Sequence, residues 1–283
     1  MNDFSTEQAP LHDREFQFLQ HLVMEAFGIS LGEEKRGLVR NRLGHILKRR
    51  GLSSVEEYCD SVLKSPRRDD LQELANQLST NYTYFNRESA HYKLLAEQIY
   101  PGLVKEVERG LRSPELRMWC AAASSGEEPY QLMMSQMDFF GDRFSGWNAG
   151  LLATDISERA LTLARKGVYA EEQIGKLPPG YLSRFMSRTG DGHYAVRPEV
   201  KKGVLFRHLN LTRPSYPFKR PFDVIFCRNV MIYFNNETKL GVLQRMHRWL
   251  RPGGILCIGM AESLVGEASS LFTPVAPSAY RRR

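Results

Sequence analysis

Residues 222–234 constrain the fold of this 283-residue chain more than any other segment. Residues 222–227 are mostly apolar, which is typical of a strand buried on both faces in a parallel sheet. The run ends at Arg228 and Asn229, and the aromatic pair Tyr233 and Phe234 follows. Because open α/β sheets bind ligands at the carboxyl ends of their strands, the polar pair predicts a small-molecule site at that edge.

The pattern after residue 116 alternates strands with helices, which indicates an α/β, doubly wound parallel sheet. Strands are predicted at 117–122, 149–153, 204–208, 222–227 and 255–259, and helices at 92–109, 130–140, 158–166 and 239–250. The Arg-Pro-Gly-Gly sequence at 251–254 is interpreted as a connector. Residues 169–203 depart from this alternation of strands and helices. They contain two turn sequences between β-prone runs, which predicts an inserted antiparallel β-subdomain with a hairpin.

The first part of the chain predicts helices alone. Apolar residues recur at helical spacing between residues 13 and 79, with Gly28 and Gly51 as stops and Ser53 or Ser54 as a cap. We therefore expect a helical domain over 1–80, a linker or lid over 81–93, a sheet domain over 94–283 and the β-insertion over 169–203.

Seven cations and no acidic residue lie between positions 35 and 50, namely Lys35, Arg36, Arg40, Arg42, Lys48, Arg49 and Arg50. One interpretation is a solvated helix face. The other is a docking surface for an acidic partner, because charges of a single sign over four turns cannot be offset within the helix. The second interpretation makes Arg36, Arg40, Arg42 and Arg49 candidate docking residues.

The overall composition indicates which partners, cellular compartment and kinds of site are compatible with this chain. The net charge of +7 permits nucleic acid, anionic lipid or an acidic protein as a partner and does not choose among them. No apolar run reaches the roughly 18 residues of a membrane helix, and the N-terminus does not resemble a signal peptide. Four widely spaced cysteines fit a reduced, cytoplasmic protein, and the seven histidines show no metal-ligand spacing.

Two further features lie at predicted strand ends. The loop Ser-Ser-Gly-Glu-Glu-Pro at 124–129 has small residues for close backbone approach, and its Glu127 and Glu128 favour a cationic ligand over phosphate. Asp155 ends the next strand, where an acidic residue can hold a ribose diol; an N-cap for the following helix is its alternative role. A cationic adenosine cofactor without phosphate is S-adenosylmethionine (SAM).

Four runs together resemble the chemotaxis receptor glutamate methyltransferase family, the CheR family. They are Ser-Thr-Asn-Tyr-Thr-Tyr-Phe-Asn-Arg-Glu at 79–88, Ser-Gly-Glu-Glu-Pro-Tyr at 125–130, Ala-Thr-Asp-Ile at 153–156 and Phe-Cys-Arg-Asn-Val-Met-Ile-Tyr-Phe at 226–234. The resemblance extends over almost the whole chain, in order. It implies a class I SAM-methyltransferase (Rossmann-like) sheet with a small all-α N-terminal domain and an inserted β-subdomain, and it implies methyl-esterification of glutamates on the cytoplasmic helices of chemoreceptors.

The resemblance also implies roles for individual residues. Arg87 would pair with the methionyl carboxylate, and Tyr233 would act near the transferred methyl group. The other implied cofactor contacts are Asn81, Thr83, Glu127, Asp155, Asn210, Leu211, Arg228 and Asn229. Asn86 stands where the family usually has Phe. Some members bind a receptor's C-terminal peptide with the β-insertion, but the loop between 188 and 194 is short for that role.

Alternatives remain at this stage. Asn81 and Thr83 could be helix caps, and Tyr233 could be a core tyrosine. A nucleic-acid methyltransferase suits the basic charge, but residues 229–232 read Asn-Val-Met-Ile instead of an Asn/Asp-Pro-Pro-aromatic motif, and no Pro-Cys nucleophile is present. A non-catalytic SAM-binding scaffold is the third interpretation. An ionised substrate glutamate needs no general base, which agrees with the lack of a His-Asp or Cys-His pattern.

Overall fold

The computed structural model describes residues 10–64, 68–78, 82–190 and 192–283. Its contacts divide the chain into two compact units. One contains the described residues up to Leu78 together with Tyr233–Asn235, and the other contains the described parts of Asn81–Ile232 together with Asn236–Arg283. In the described ranges, no helix is both long enough and apolar enough to cross a membrane.

The first unit is helical. Its α-helices are α1 (Asp13–Phe27), α2 (Arg36–Arg50), α3 (Val55–Lys64) and α4 (Arg68–Leu78), with a 3-10 turn at Glu33–Lys35. The predicted stops at Gly28 and Gly51 are confirmed, because both adopt a left-handed conformation with φ of 65°. Ser54 is the cap of α3, since its Oγ accepts a hydrogen bond from the Glu57 N–H at 3.0 Å. Buried apolar side chains of α1 and α2 form much of the core of this unit.

The second unit contains a seven-stranded sheet. Its strands are β1 (Glu115–Cys120), β2 (Asn148–Asp155), β6 (Val204–His208), β7 (Phe222–Cys227), β8 (Leu250–Ile258), β9 (Phe272–Ala276) and β10 (Ala279–Arg282). The order is β6-β2-β1-β7-β8-β10-β9. The first five strands are parallel, and the pairings of β10 with β8 and β9 are antiparallel.

The helices of the second unit follow the predicted alternation. They are α5 (Ala90–Leu94), α6 (Tyr100–Glu108), α7 (Glu127–Phe140), α8 (Glu158–Lys166), α9 (Glu171–Ile174), α10 (Tyr181–Phe185), α11 (Pro198–Lys202) and α12 (Asn236–Trp249). A π-helical turn at Leu95–Ile99 joins α5 to α6. It directly precedes the turn with Pro101, whose missing N–H and bulky ring disturb the regular hydrogen-bond pattern.

The β-insertion is present as a small antiparallel sheet. Its strands are β3 (Val168–Ala170), β4 (Met186–Thr189) and β5 (His193–Val196), in the order β3-β5-β4. Apolar side chains from the insertion, including Tyr169, Phe185 and Val196, belong to the same buried cluster as Met118 of β1. The insertion therefore shares the core of the sheet instead of forming one of its own.

Two expectations about the end of the chain were wrong. Residues 251–254 are not a separate connector, because β8 begins at Leu250 and includes them. The pairing of β7 with β8 shifts register there, and a Cβ on Gly254 would lie 2.9 Å from the Arg251 carbonyl oxygen, so only glycine fits. Strands β9 and β10 were not predicted, and they make the sheet mixed instead of parallel throughout.

The register brings the strand ends to one edge. Cys120 at the end of β1 pairs with Ala153 of β2 and with Phe226 of β7. Cys227 in turn pairs with Ile258 of β8. The residues that follow β1, β2, β7 and β8 therefore lie side by side, at the edge where parallel α/β sheets bind ligands.

Candidate active site

The loop between β1 and α7 approaches its neighbours closely. Gly126 has φ of 101°, and a Cβ there would lie 2.7 Å from the Tyr169 hydroxyl and 3.0 Å from the Ala164 Cα. Ser124 also has a positive φ, of 47°. This tight turn starts α7 at Glu127 and leaves the first N–H groups of the helix at the sheet edge.

Asp155 is a buried carboxylate that organises the edge. Its Oδ2 accepts a hydrogen bond from the Ser124 N–H at 2.8 Å, and its Oδ1 accepts one from the Ser157 N–H at 2.9 Å. Burial raises the pKa of Asp155, and the backbone donors oppose that shift. The N-cap interpretation was wrong, because the Oγ of Ser157 caps α8 by accepting from the Ala160 N–H. The Ile156 backbone also donates to this carboxylate. A carboxylate has about four acceptor sites, so at least one remains for a ribose hydroxyl.

Glu127 lies in the core at the start of α7, with 1% of its surface exposed. Its Oε2 accepts a hydrogen bond from the Ser125 Oγ at 2.7 Å, and Gln173 of the insertion contacts its Oε1 at 3.5 Å. Burial raises the pKa of Glu127. The two adjacent acids that the sequence presents as a pair therefore differ, because Glu128 faces an arginine instead.

Arg228 forms the centre of a buried charge network. Its Nη1 donates to Glu128 at 2.6 Å, and its Nη2 donates to Glu88 at 3.1 Å and to the Arg87 carbonyl oxygen at 2.6 Å. Its side chain is 1% exposed. Burial alone would lower the pKa of Arg228, but Glu128 and the other acidic neighbours outweigh burial and raise it. The predicted cofactor contact of Arg228 remains a prediction, since these internal pairs occupy most of its donors.

Asn229 is held in a left-handed conformation with φ of 56°. Its backbone N–H donates to Glu262 Oε2 at 3.0 Å, and its Nδ2 donates to Glu88 Oε1 at 3.2 Å. The network outweighs the effect of burial on Glu88, whose pKa is lowered. Glu88 therefore links the segment 82–89 to the end of β7.

The segment 82–89 contains two of the predicted cofactor residues, Thr83 and Arg87. Arg87 is half-buried, and its Nη1 donates to the Tyr82 carbonyl oxygen at 3.0 Å. Thr83 is half-buried, and Asn81 lies outside the described residues. Asn86, where the family usually has Phe, has φ of 62° and exchanges hydrogen bonds with the Gln131 amide of α7.

Asn210 and Leu211 follow β6 at the same edge. The Asn210 Oδ1 accepts from the backbone N–H and the hydroxyl of Thr212, at 2.9 and 2.8 Å. Leu211 is buried, and its carbonyl oxygen accepts from the Tyr216 hydroxyl at 2.7 Å. The Leu209 N–H donates to the Asp155 carbonyl oxygen at 3.0 Å, which joins this segment to the end of β2.

Tyr233 groups with the helical unit. Its carbonyl oxygen accepts from the Ser30 N–H at 2.8 Å, and Phe234 forms a β-bridge with Ile29. The Lys35 Nζ lies 5.7 Å from the centre of the tyrosine ring. The ring is half-buried, so the interpretation of Tyr233 as a core tyrosine was wrong.

The basic run on α2 is partly neutralised by other helices of its unit. Arg36 pairs with Asp13 at 2.7 Å and with Glu33 at 2.9 Å. Arg49 and Arg50 both pair with Glu73 of α4. Arg42 donates to the Gln77 carbonyl oxygen at 2.5 Å. Of the four candidate docking residues, Arg40 is exposed and has no ion pair within the described ranges.

Known proteins resemble this chain over nearly all of its length. Residues 81–280 match the model described as "CheR methyltransferase, SAM binding domain", and residues 14–79 match "CheR methyltransferase, all-alpha domain". The chain belongs to the CheR methyltransferase family. Two relatives, each named chemotaxis protein methyltransferase, come from Borreliella burgdorferi (36% identical, covering 95% of this chain and 94% of the relative) and Escherichia coli K12 (38%, 91% and 87%).

A solved structure with a distant resemblance to this CheR-family chain supports no more than that resemblance. A SAM-dependent methyltransferase from Methanosarcina mazei is 14% identical, with a TM-score of 0.32 over 54% of this chain and 55% of the other. This similarity is too low to support an argument. SAM as the methyl donor rests instead on the family match and on the residues at the sheet edge.

The edge of the CheR-family sheet fits SAM in its chemistry. It offers Asp155 acceptors for a ribose, the half-buried Arg87 guanidinium for a carboxylate, and the acidic Glu127 beside a tight glycine turn. Across the described parts of the chain, no group of three His, Cys, Asp or Glu side chains could hold a metal ion. The described cysteines are all buried, and none of them forms a disulfide bond.

Sequence reasoning missed two carboxylates that hold this site together, Glu88 and Glu262, and it expected Glu128 to face a cationic ligand and not an internal arginine. Glu88 and Glu128 pair with Arg228, and Glu262 accepts from the backbone of Asn229. Their pairing partners could not be identified from the sequence, because these partners are 33 to 141 residues away along the chain. The available signal was position, because Glu128 and Glu262 follow predicted strands and Glu88 ends the run at 79–88.

Proposed function

We propose that this protein transfers the methyl group of SAM to glutamate side chains on the cytoplasmic helices of chemoreceptors. Family membership over both segments of the chain supports the reaction. The observation that carries the proposal is the acidic edge of the sheet, where Asp155 and Glu127 lie beside the turn at Gly126, a position too crowded for a side chain. Such an edge suits a sulfonium nucleoside better than a phosphate-bearing cofactor.

The chemistry needs little from the protein beyond positioning. SAM supplies a methyl group on a positively charged sulfur, and a substrate glutamate is already ionised near neutral pH. Asp155 would hold the ribose and Arg87 the methionyl carboxylate, with Arg87 and Tyr233 orienting the reacting groups. Positioning two reactants in this way can lower a barrier by several kcal/mol. Because opposite charges cancel as the methyl ester forms, exclusion of water favours the reaction.

The remaining roles follow the same proposal. Asn81, Thr83, Asn210, Leu211, Arg228 and Asn229 would complete the cofactor site, and α2 would dock the receptor. The receptor's cytoplasmic domain would be the partner, without nucleic acid and without insertion into the membrane, and the protein would act in the cytoplasm.

Transfer of a labelled methyl group tests the reaction. The protein is incubated with methyl-labelled SAM, a chemoreceptor cytoplasmic fragment and, separately, nucleic acid. We expect base-labile label on glutamates of the receptor, because carboxylate methyl esters hydrolyse in base. Label on nucleic acid would support a nucleic-acid methyltransferase, and absence of label with intact SAM binding would support a scaffold; either result would overturn the proposal.

Arg40→Glu tests the docking surface. Because Arg40 is exposed and has no ion pair with the residues that the structure describes, we expect KM for receptor to rise about tenfold, as for loss of one favourable charge contact plus new repulsion. Calorimetric affinity for the demethylated product S-adenosylhomocysteine should not change.

Arg14→Glu is the matched control, since it makes the same charge change at an exposed position of α1. Equal effects of the two variants on KM would show that net charge, and not the α2 surface, controls receptor binding. A parallel loss of cofactor affinity in Arg40→Glu would contradict separate docking and cofactor roles.

A further inference from the structure

Two carboxylates determine how Asn229 is presented at the sheet edge. Because a carboxylate only accepts hydrogen bonds, the amide group that faces Glu88 at 3.2 Å must be Nδ2. The side-chain carbonyl oxygen Oδ1 is therefore directed away from Glu88. Among the described residues, Oδ1 has no hydrogen-bond partner.

Glu262 holds the backbone at the same point. Its Oε2 accepts from the Gly259 N–H at 2.7 Å and from the Asn229 N–H at 3.0 Å, and its Oε1 accepts from the Ile232 N–H at 3.2 Å. One side chain thus joins the loop after β8 to the loop after β7. Three such charge-assisted bonds offset the cost of a left-handed conformation at a residue other than glycine.

The fit around Glu262 leaves no room for a side chain at position 259. A Cβ on Gly259 would lie 2.5 Å from the Asn229 Nδ2 and 2.9 Å from the Asn229 backbone nitrogen. Glu88 is in turn anchored by Arg228, whose Nε and Nη2 donate to it at 3.2 and 3.1 Å. Asn229 is therefore fixed at its backbone by one acid and at its amide by another.

We propose that Glu88 and Glu262 are positioning residues, which fix Asn229 so that its Oδ1 accepts a hydrogen bond from the methionyl ammonium group of SAM. This inference rests on the cofactor site proposed above. Asn229 is half-buried, so its Oδ1 offers an acceptor at this edge, and the ammonium is the charged donor of SAM. The ribose and adenine are assigned to Asp155 and to Asn210 and Leu211, at other strands.

Calorimetry with two ligands tests the proposal. The ligands are S-adenosylhomocysteine and its analogue that lacks the amino group, and the variants are Glu262→Gln and Glu88→Gln. In each variant an amide NH2 replaces a carboxylate oxygen, so that acceptors are lost around Asn229. We expect S-adenosylhomocysteine to bind roughly tenfold more weakly, as for loss of a charge-assisted hydrogen bond, and the analogue to be affected less than about threefold.

Controls separate positioning from folding. Glu267→Gln changes an exposed acid in the same C-terminal region and should leave both affinities unchanged. Glu262→Asp keeps the carboxylate and should restore part of the preference for the amino group if Glu262→Gln folds poorly. Receptor KM should not change in any variant.

The outcomes are distinguishable. Equal weakening of both ligands by Glu262→Gln and Glu88→Gln would overturn the proposal and assign these acids a purely structural role. Unchanged affinity for S-adenosylhomocysteine would overturn it as well. If the unmodified protein itself binds neither SAM nor S-adenosylhomocysteine, the proposed function fails, and not this inference alone.

Discussion

The two units of this protein each contain an arginine that pairs with two carboxylates, in very different surroundings. In the helical unit, Arg50 pairs with Asp70 at 2.6 Å and with Glu73, and its side chain is 25% exposed. In the sheet unit, Arg228 pairs with Glu88 and Glu128, and its side chain is 1% exposed. Each arginine has two acidic partners, but water reaches the Arg50 side chain and does not reach the Arg228 side chain.

This difference decides what each cluster contributes. A partly exposed ion pair is screened by water and salt, so it adds little net free energy. A buried charge has lost its hydration, so each partner becomes necessary once the others are in place. The Arg228 cluster therefore holds the segment 82–89 and α7 against the end of β7 with a fully buried arginine, whereas the Arg50 cluster joins α2 to α4 through an arginine that water reaches.

Arg228→Met should give the largest effect. It leaves the carboxylates of Glu88 and Glu128 buried without a cation, and we expect the free energy of unfolding to fall by about 3–5 kcal/mol. Urea denaturation would measure it. Arg188→Met, at an exposed position, is the control.

A second comparison sharpens this test. Adding Glu88→Gln and Glu128→Gln to Arg228→Met should recover part of the lost stability, because no unpaired charge remains. If Arg228→Met costs no more than Arg188→Met, the buried network is not the stabilising element that its geometry indicates.

The pH dependence of stability should give the next largest effect. Burial, with Arg228 nearby, lowers the pKa of His91 to about 4. Between pH 6.5 and about 4, the unfolded chain binds the proton and the folded chain resists it, so stability falls as pH falls, by roughly 3 kcal/mol from this residue. His91→Gln should remove that part of the slope in urea unfolding measured at pH 7, 6 and 5. An unchanged slope would contradict a neutral, buried His91.

Arg49→Met should give the smallest effect. The Arg49 side chain is 57% exposed, and we expect its pairing with Glu73 to contribute less than about 1 kcal/mol, with a further decrease in 0.5 M NaCl. Thermal unfolding at two salt concentrations measures this. Lys48→Met, on the same helix, is the control; a salt-independent loss confined to Arg49→Met would indicate packing and not charge.

Patterns that are local in the chain predicted most of the fold. The helix stops at Gly28 and Gly51 and the helix over 158–166 are confirmed, because capping and periodicity act within a few residues. The β7 strand at Phe222–Cys227 is confirmed for the same reason. Strands β9 and β10 escaped prediction, because their short, mixed sequences are stabilised by tertiary pairing, of β10 with β8 and of β9 with β10.

The candidate site was predicted less completely. The sequence singled out Asp155, Glu127 and Asn229 as candidates, because each lies at the end of a strand or just after a strand or a glycine turn. The pairing of Glu88, Glu128 and Glu262 with Arg228 and Asn229 was not predicted, because these acids act through contacts between distant segments. The charge of the α2 run was also overestimated, because α4 supplies acids that no pattern within α2 reveals.

The sequence by itself determined the alternation of strands and helices, the polar residues that end the strands, and the family to which those motifs point. These properties depend on neighbouring residues, which the chain order places together. Only the tertiary structure decided which charges are paired, which acid fixes Asn229, and that Arg40 is left exposed while Arg36 and Arg49 are engaged. The reason is physical: the energy of a charge depends on its burial and on the partners that folding brings to it.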